Sequence, residues 1–436
     1  MVRMPVPSAR IERCCGHPRK PCWRMCMNLL LNPLRDHVRR LSLAVLVMGL
    51  SSATLAQVVT VIPSTPSNIS GTVERMISYR NQNHMWQTAD GLTHALVNVG
   101  NQPNGTSLRL HTSLDNGVSW VGSVELPVTD FTSTSDGFLQ GNNLFVTYST
   151  TAGGVAFSQL RYDPATTTWT LGATEIAFQS DTLKASNPTV ARDAQGRHWA
   201  AFTTQDADNN ANIKMVLRSP AAPGWVDTGF VFGPTDNLSM DNTERGARVV
   251  TVAGGVGLVY TVRQNVFWAK RQNSWPVTQA WSRSQAYADQ GVDNDPYGSH
   301  FSVTVDDQNN VHMAMVDGGQ MLYLRLAAGA QTWTRKFLTA PVRAAYVQIL
   351  TSGSTLMLVG NDKSSAVVFQ STNGGSSWAK THLLLHPPSD GISNYDNPRM
   401  ELPGNNPASP VPVLQQYRER NMQRTISFRV PVKTAP

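Results

Sequence analysis

An all-β fold, a seven-bladed β-propeller with four antiparallel strands in each blade, is predicted by three features of this sequence. Residues 57–436 consist of short β-rich runs separated by Gly, Asn, Asp, Pro and Ser, with almost no stretch of helical periodicity. A Trp just after a turn recurs at Trp120, Trp169, Trp225, Trp275, Trp333 and Trp378, at intervals of 49, 56, 50, 58 and 45 residues. Strand-like runs precede each of these Trp residues in a constant order. Four short strands in a repeat of about fifty residues is the pattern of propeller blades.

Residues 1–56 stand apart from this pattern. The whole chain has 36 Lys plus Arg and 29 Asp plus Glu, a formal charge of +7. Nine basic and two acidic residues fall within residues 1–56, so the rest is balanced at 27 of each sign. A basic surface for nucleic acid is therefore excluded as the basis of function. Cys14, Cys15, Cys22 and Cys26 all lie here too, which excludes disulfides, thiolate metal sites and a Cys nucleophile from residues 57–436. Arg35, Arg39 and Arg40 precede the apolar run Leu41–Leu50, and the small residues Ser51–Ala56 follow it. This order is that of an export signal cleaved before Gln57, and the apolar run is too short to be a comfortable membrane span. Met25 and Met27 both suit the start of a normal signal. The expected organisation is an extension and signal over 1–56, a linker over 57–71, and one propeller domain over 72–436. A secreted or periplasmic monomer that is not an integral membrane protein is expected.

Six blades fit between His84 and Leu385. Their second strands are expected at His94–Val99, Leu144–Ser149, His198–Thr203, Gly257–Val262, Val311–Val316 and Thr355–Gly360. The third strands are expected at Ser107–Ser113, Val155–Tyr162, Ile213–Arg218, Val266–Arg271, Met321–Leu326 and Ala366–Ser371. First strands are readable from the third blade on, at Thr189–Asp193, Ala247–Val252, Phe301–Asp306 and Ala344–Leu350. Three C-terminal strands, Pro398–Leu402, Val411–Tyr417 and Arg424–Val430, make a seventh blade, with Thr72–Tyr79 as its expected fourth strand. Pairing both chain ends in one blade leaves no open edge around the ring. A six-bladed ring is the runner-up, should one segment be an insertion.

Two turns carry a sharper pattern. Ser113-Leu-Asp115-Asn-Gly117-Val-Ser119-Trp120 fits S-x-D-x-G-x-x-W, and Ser371-Thr-Asn373-Gly-Gly375-Ser-Ser377-Trp378 fits it with Asn in the Asp position. These turns resemble the Asp boxes, or BNR repeats, of the sialidase-like propeller superfamily. Their role is local: the Asp or Asn accepts backbone N–H groups, Gly takes positive φ, and Trp covers the hairpin. The resemblance implies architecture across most of residues 72–430 and an outer-rim position for Asp115 and Asn373.

Propellers bind ligands in a funnel on the ring axis, at the starts of the first strands. Those positions hold His84 and Trp86, Asp136, Ser186 and Asn187, Glu244, Arg245 and Arg248, Asp295, Tyr297 and His300, Arg343 and Tyr346, and Tyr395, Asp396 and Arg399. The concentration of His, Arg, Tyr and carboxylates points to a site. Sialidase chemistry, which the resemblance implies, needs an arginine clamp on a carboxylate, a Tyr nucleophile assisted by Glu, and an Asp acid/base. Arg248, Arg343 and Arg399 would make the clamp, with Tyr346 or Tyr395, Glu244 and Asp136 in the other roles. The first blade opens Asn83-His84-Met85-Trp86, without the arginine that family places there. Lyase chemistry on uronates, also found among related seven-bladed propellers, needs a neutralised carboxylate, a base for the C5 proton and an acid for the leaving oxygen. His84, His300, Tyr297, Tyr346, Arg248 and Arg399 supply that set. Trp86, Asn187, Arg343 and Tyr395 are the expected substrate contacts. The third class is a non-catalytic propeller that binds a glycan or a protein, with Trp86 stacked on a sugar.

The remaining signals have plainer explanations. His94, His198 and His312 recur in second strands, which suits packing or cross-blade hydrogen bonds, while His111, His382 and His386 suit solvent or turns. No metal motif and no cofactor is expected. The acidic turns at Asp206–Asn210 and Asp293–Asp295 could hold a structural Ca²⁺ through oxygen ligands, although neither is an EF-hand. The expected function is recognition and cleavage of an extracellular, acidic glycan, as a polysaccharide lyase or a sialidase-type hydrolase, with binding alone as the alternative. Expressed from Met25 or Met27 in an export-competent Gram-negative host, the processed chain should begin at Gln57. N-terminal sequencing of the exported product checks this.

Overall fold

The computed structural model describes residues 59–77, 79–100, 106–232, 246–262, 265–288, 300–338, 346–361, 365–387 and 392–434, with backbone alone at 361 and 394–398. These residues form seven sheets arranged as a seven-bladed β-propeller, without helices. Blade one comprises β3 (Met85–Gln87), β4 (Thr93–Asn98), β5 (Leu108–Ser113) and β6 (Val121–Glu125). Blade two comprises β7 (Ser135–Gln140), β8 (Asn143–Ser149), β9 (Val155–Asp163) and β10 (Thr168–Phe178). Blade three comprises β11 (Lys184–Arg192), β12 (His198–Gln205), β13 (Ala211–Arg218) and β14 (Trp225–Phe232). Blade four comprises β15 (Ala247–Val252), β16 (Gly255–Val262), β17 (Asn265–Gln272) and β18 (Ser282–Tyr287). Blade five comprises β19 (Phe301–Val305), β20 (Val311–Asp317), β21 (Gln320–Leu326) and β22 (Thr334–Leu338). Blade six comprises β23 (Tyr346–Ser352), β24 (Thr355–Asn361), β25 (Ser365–Ser371) and β26 (Ala379–Leu385). Blade seven takes β27 (Ser393–Glu401), β28 (Val411–Glu419) and β29 (Met422–Val430) from the C-terminus.

Two further strands, β1 (Thr60–Pro63) and β2 (Thr65–Gly71), lie in the segment expected to be a linker. β2 pairs antiparallel with β29 and is the outer strand of blade seven. The ring therefore closes as expected in kind, but with Thr65–Gly71 in place of Thr72–Tyr79. β1 runs parallel to β26 and adds a fifth strand to blade six. This one short stretch thus joins blades six and seven at their outer edges. Blades seven and one also meet nearer the axis, through a parallel bridge between Met85 and Pro403.

The apolar alternation of the strands packs sheet against sheet. Blades three and four share one cluster around Trp199, Phe232, Tyr260 and Trp281, and blades four and five share another around Trp268, Phe301 and Met313. On the outer rim, Asp115 Oδ1 accepts the N–H groups of Val118 at 3.1 Å and Ser119 at 2.8 Å, while Trp120 Nε1 donates to Gly117 O at 3.1 Å. Asn373 Oδ1 accepts Ser377 N at 2.9 Å in the equivalent turn of blade six. Gly117 and Gly375 have φ of +96° and +86°, the left-handed region that glycine occupies without strain.

The second-strand histidines are buried in packing, two of them at blade interfaces and His312 within blade five. His94 of blade one accepts a hydrogen bond from Trp169 Nε1 of blade two at 3.0 Å and contacts Tyr162 edge-on. His198 of blade three sits among Phe138, Phe145 and Phe157 of blade two, with neither ring nitrogen hydrogen-bonded. His312 bridges Asp306 and Tyr323 at 2.9 and 2.8 Å. His111, expected in solvent or a turn, is also buried, because the inner part of β5 lies inside blade one. Burial lowers His94 to about 4 against the opposing charge of Asp90, and burial with the charges of Arg192 and Arg218 lowers His198 to about 4. In the unfolded chain both protonate near pH 6.5, so between that value and about pH 4 the unfolded state binds more protons. Stability should therefore be complete above pH 6.5 and should fall on acidification through this window, by at most about 1.4 kcal/mol per pH unit for each imidazole. Urea melts at stepped pH check this, and His198→Leu should flatten the slope.

Candidate functional site

Residues 72–77 and 79–84 lie between the outer strand of blade seven and the inner strand of blade one, and residues 80–84 reach across the ring axis. Asn81 Nδ2 donates to Ala247 O of β15 at 2.9 Å, and Gln82 Nε2 donates to Pro188 O of β11 at 2.8 Å. Asn83 N donates to Asp136 Oδ1 of β7 at 2.7 Å, and His84 N donates to Glu401 Oε1 of β27 at 2.8 Å. The Arg80 guanidinium lies over the Tyr346 ring of β23, 3.2 Å from its centroid. A few consecutive residues thus touch the first strands of blades two, three, four, six and seven. Seven inner strands leave an axial channel, and this polar segment fills it.

The filling changes the role of several expected site residues. Asp136 is fully buried and accepts Asn83 N, Val190 N at 2.8 Å, and the Arg248 guanidinium. Arg248 is 5% exposed. This pair holds the crossing segment and blade three in place, so neither residue is displayed in an open funnel. His84 is 1% exposed, with Nδ1 3.1 Å from Glu401 Oε2 and Nε2 without a polar partner. Gln348 of blade six donates to the same Glu401 oxygen at 3.2 Å. Trp86 is 1% exposed, and its ring lies where a Cβ on Gly137 would approach to 2.9 Å. It packs in the core between blades one and two, which rules out stacking on a sugar. These placements correct the expectation that His84, Trp86, Asp136 and Arg248 line the funnel. Asp136 and Arg248 are used to hold the segment that plugs the axis, His84 belongs to that segment, and Trp86 is taken up by packing between blades one and two.

A second set gathers at the end of the axis where the first strands begin. Tyr346 is 7% exposed and opens β23. Arg80 covers its ring, Arg399 of β27 lies 5.9 Å from the ring centroid, and His300 faces it at 6.0 Å between centroids. Arg399 Nη1 also donates to Ile77 O at 3.4 Å. Arg75 lies 5.1 Å from the Tyr79 ring and donates to its hydroxyl. Burial pushes the Tyr346 phenol up, but the charges of Arg399 and Arg80, the Arg80 hydrogen bond and the charge of Arg75 outweigh it. The phenol ends below its ordinary value of 10, which eases loss of its proton. Arg75, Tyr79, Arg80 and Glu401 escaped the sequence reading. The available signal was the unbroken polar run Tyr79-Arg80-Asn81-Gln82-Asn83-His84 directly before the first blade.

Asn187 is 2% exposed and lines a cleft of about 680 Å³ on the same face, together with Arg75 and Tyr79. Glu244, Tyr297 and Arg343 lie outside the described residues, as does the side chain of Tyr395. Among the described residues, no group of three His, Cys, Asp or Glu side chains could hold a metal ion, and no helix is long and apolar enough to cross a membrane.

No family model matches the chain, and no curated protein matches it. Solved structures with a similar course include a polysaccharide lyase, Uly1, at 10% identity and a TM-score of 0.46, covering 80% of this chain and 90% of that one. A Trypanosoma rangeli sialidase in complex with the inhibitor DANA matches at 9% identity and a TM-score of 0.45, over 74% of this chain and 55% of that one. An Aleuria aurantia lectin in complex with Fucα1-6GlcNAc matches at 12% identity and a TM-score of 0.42, over 75% and 97%.

Removing one partner of the Asp136–Arg248 pair leaves a buried charge uncompensated. Asp136→Ala should cost about 3–5 kcal/mol of unfolding free energy, read from urea melts. A loss of activity that left those melts unchanged would contradict this structural role.

Proposed function

We propose that the chain is an exported glycan-active propeller of the sialidase-like, Asp-box kind, acting on a uronate-containing polysaccharide by β-elimination at Tyr346. One observation carries this reading: three guanidiniums, from Arg75, Arg80 and Arg399, bear on a single phenol at the mouth of the axis and lower its pKa. Arginine neutralises and orients a sugar carboxylate through paired N–H donors. That neutralisation acidifies the adjacent C5 proton. Tyr346, as phenolate, takes this proton; the C4–O bond breaks, a C4=C5 double bond forms, and His300 protonates the departing oxygen. The sialidase-type roles fit less well, because Arg248 and Asp136 bind one another in the interior and are not available as clamp and acid.

A specific feature favours binding alone as the second reading. Arg80 lies only 3.2 Å from the centroid of Tyr346, which covers one face of the ring. A phenol held this way could serve as a fixed wall of an anion-binding pocket.

The test incubates the chain beginning at Gln57 with a panel of uronate polysaccharides and follows the ultraviolet absorbance of the new double bond. Absorbance should grow, and the rise of its rate with pH should have its midpoint below pH 10, since the base is needed deprotonated and its pKa is lowered. Tyr346→Phe should slow the reaction by roughly a hundredfold or more, and Arg399→Ala should raise KM. Product without absorbance would show hydrolysis; binding without product would establish the second reading.

A further inference from the structure

The cleft beside the arginine–tyrosine cluster is built as a site in its own right. It lies between the loop leading into blade two, the β8–β9 turn and the start of β11, and it holds about 680 Å³. Its floor includes Asn187, which is 2% exposed yet has φ of +52°. Asn adopts the left-handed region more readily than other non-glycine residues, and here it turns the side chain toward the cleft. The Asn187 backbone N–H is tied to Thr134 Oγ1 at 3.0 Å, and the strand shifts register between Ser186 and Thr189. Its carboxamide makes no hydrogen bond with the described residues and lines the cleft. Its amide atoms open onto the cleft, where a water or a ligand hydroxyl can pair with them.

The cleft wall carries a second, independent feature. Phe131 is 58% exposed although it belongs to a tightly organised loop. Asp130 N donates to Ser133 Oγ at 3.0 Å, Thr132 N donates to Asp130 Oδ1 at 2.8 Å, and Asn98 Nδ2 donates to Asp130 O at 2.9 Å. Thr151 N donates to Val128 O at 3.0 Å across the loop. The backbone is thus fixed from both sides, while the ring is left against water. A rigid exposed aromatic offers a flat apolar face at low entropy cost. Lys184 and Arg75 bring positive charge to the same cleft against the one carboxylate of Glu74, and Arg75 joins it to the Tyr346 cluster.

We propose that this cleft is a second sugar subsite, with Phe131 stacking on a pyranose face and the Asn187 carboxamide reading its hydroxyls. The ligand is then an acidic oligosaccharide or an internal stretch of polymer, extending from the axial mouth over blades two and three. This proposal rests on the glycan reading above and adds chain length and direction to it.

Calorimetric titration of Tyr346→Phe protein, which leaves its ligands intact, with a uronate disaccharide and the matching hexasaccharide tests it. The hexasaccharide should bind roughly tenfold tighter or more, a difference of about 1.4 kcal/mol. Phe131→Ala and Asn187→Gly should each erase that gain and leave disaccharide affinity unchanged; Phe131→Trp should keep it. Equal affinity for both lengths, or a gain that survives both substitutions, would overturn the second subsite. Disaccharide binding undiminished by Arg399→Ala, with the length gain still lost in Phe131→Ala, would overturn the axial reading and leave the cleft. Binding of neither ligand would overturn both.

Discussion

A buried carboxylate in each blade flanking blade one holds the crossing segment, and most of the inner structure follows from that constraint. Asp136 and Glu401 accept the consecutive N–H groups of Asn83 and His84, one from blade two and the other from blade seven. Each also reaches a further blade: Asp136 accepts Val190 N of blade three and Arg248 of blade four, and Glu401 accepts Gln348 of blade six. Apolar side chains could fill the channel but could not satisfy the backbone of a chain passing through it. Buried peptide groups in a non-regular segment need partners, and charged acceptors make the strongest ones. The two carboxylates thus serve as both filling and fastening.

This explains why a polar inner surface is a poor guide to a catalytic one. His84, Asp136 and Arg248 have the chemistry of general acids, bases and anion clamps. Each is spent on holding the plug, and burial at 5% or less removes all three from solvent. Tyr346 opens β23 and Arg399 lies late in β27, and both are buried to a similar degree, at 7% exposed. Position relative to the crossing chain, more than burial, separates the groups that fasten Asn83 and His84 from those gathered around Tyr346. Residue type does not.

The blade count is legible in the sequence because each blade repeats a local signal: a hairpin, a turn with a fixed Gly or Asn, and a Trp that covers it. The closing strand carries no such signal. Thr65–Gly71 is an outer strand, mostly exposed in its first half, and is held by pairing with β29 more than by its own apolar alternation. Thr72–Tyr79 looks more strand-like because it contains Val73, Met76 and Ile77. Those side chains instead anchor the approach to the axis, packing with Ile69, Val97 and Leu414. That Asn187 borders a cleft was legible from its place near the start of the third blade's first strand. Glu401 was not, because a carboxylate late in β27 reads as an ordinary end of strand until the crossing segment is seen beside it.

Ring closure and the candidate site are built from one continuous stretch of chain. β2 completes blade seven, and the residues that follow supply Arg75, Tyr79 and Arg80 before β3 opens blade one. Local opening of the blade-seven edge would withdraw the same segment that brings two guanidiniums to Tyr346. The converse also holds, since a ligand bound at the mouth contacts this segment only when the ring is closed. By linkage, any ligand that requires the closed arrangement stabilises it by its own binding free energy. A propeller joined this way couples its weakest topological feature, the meeting of its two chain ends, to occupancy of its axial mouth.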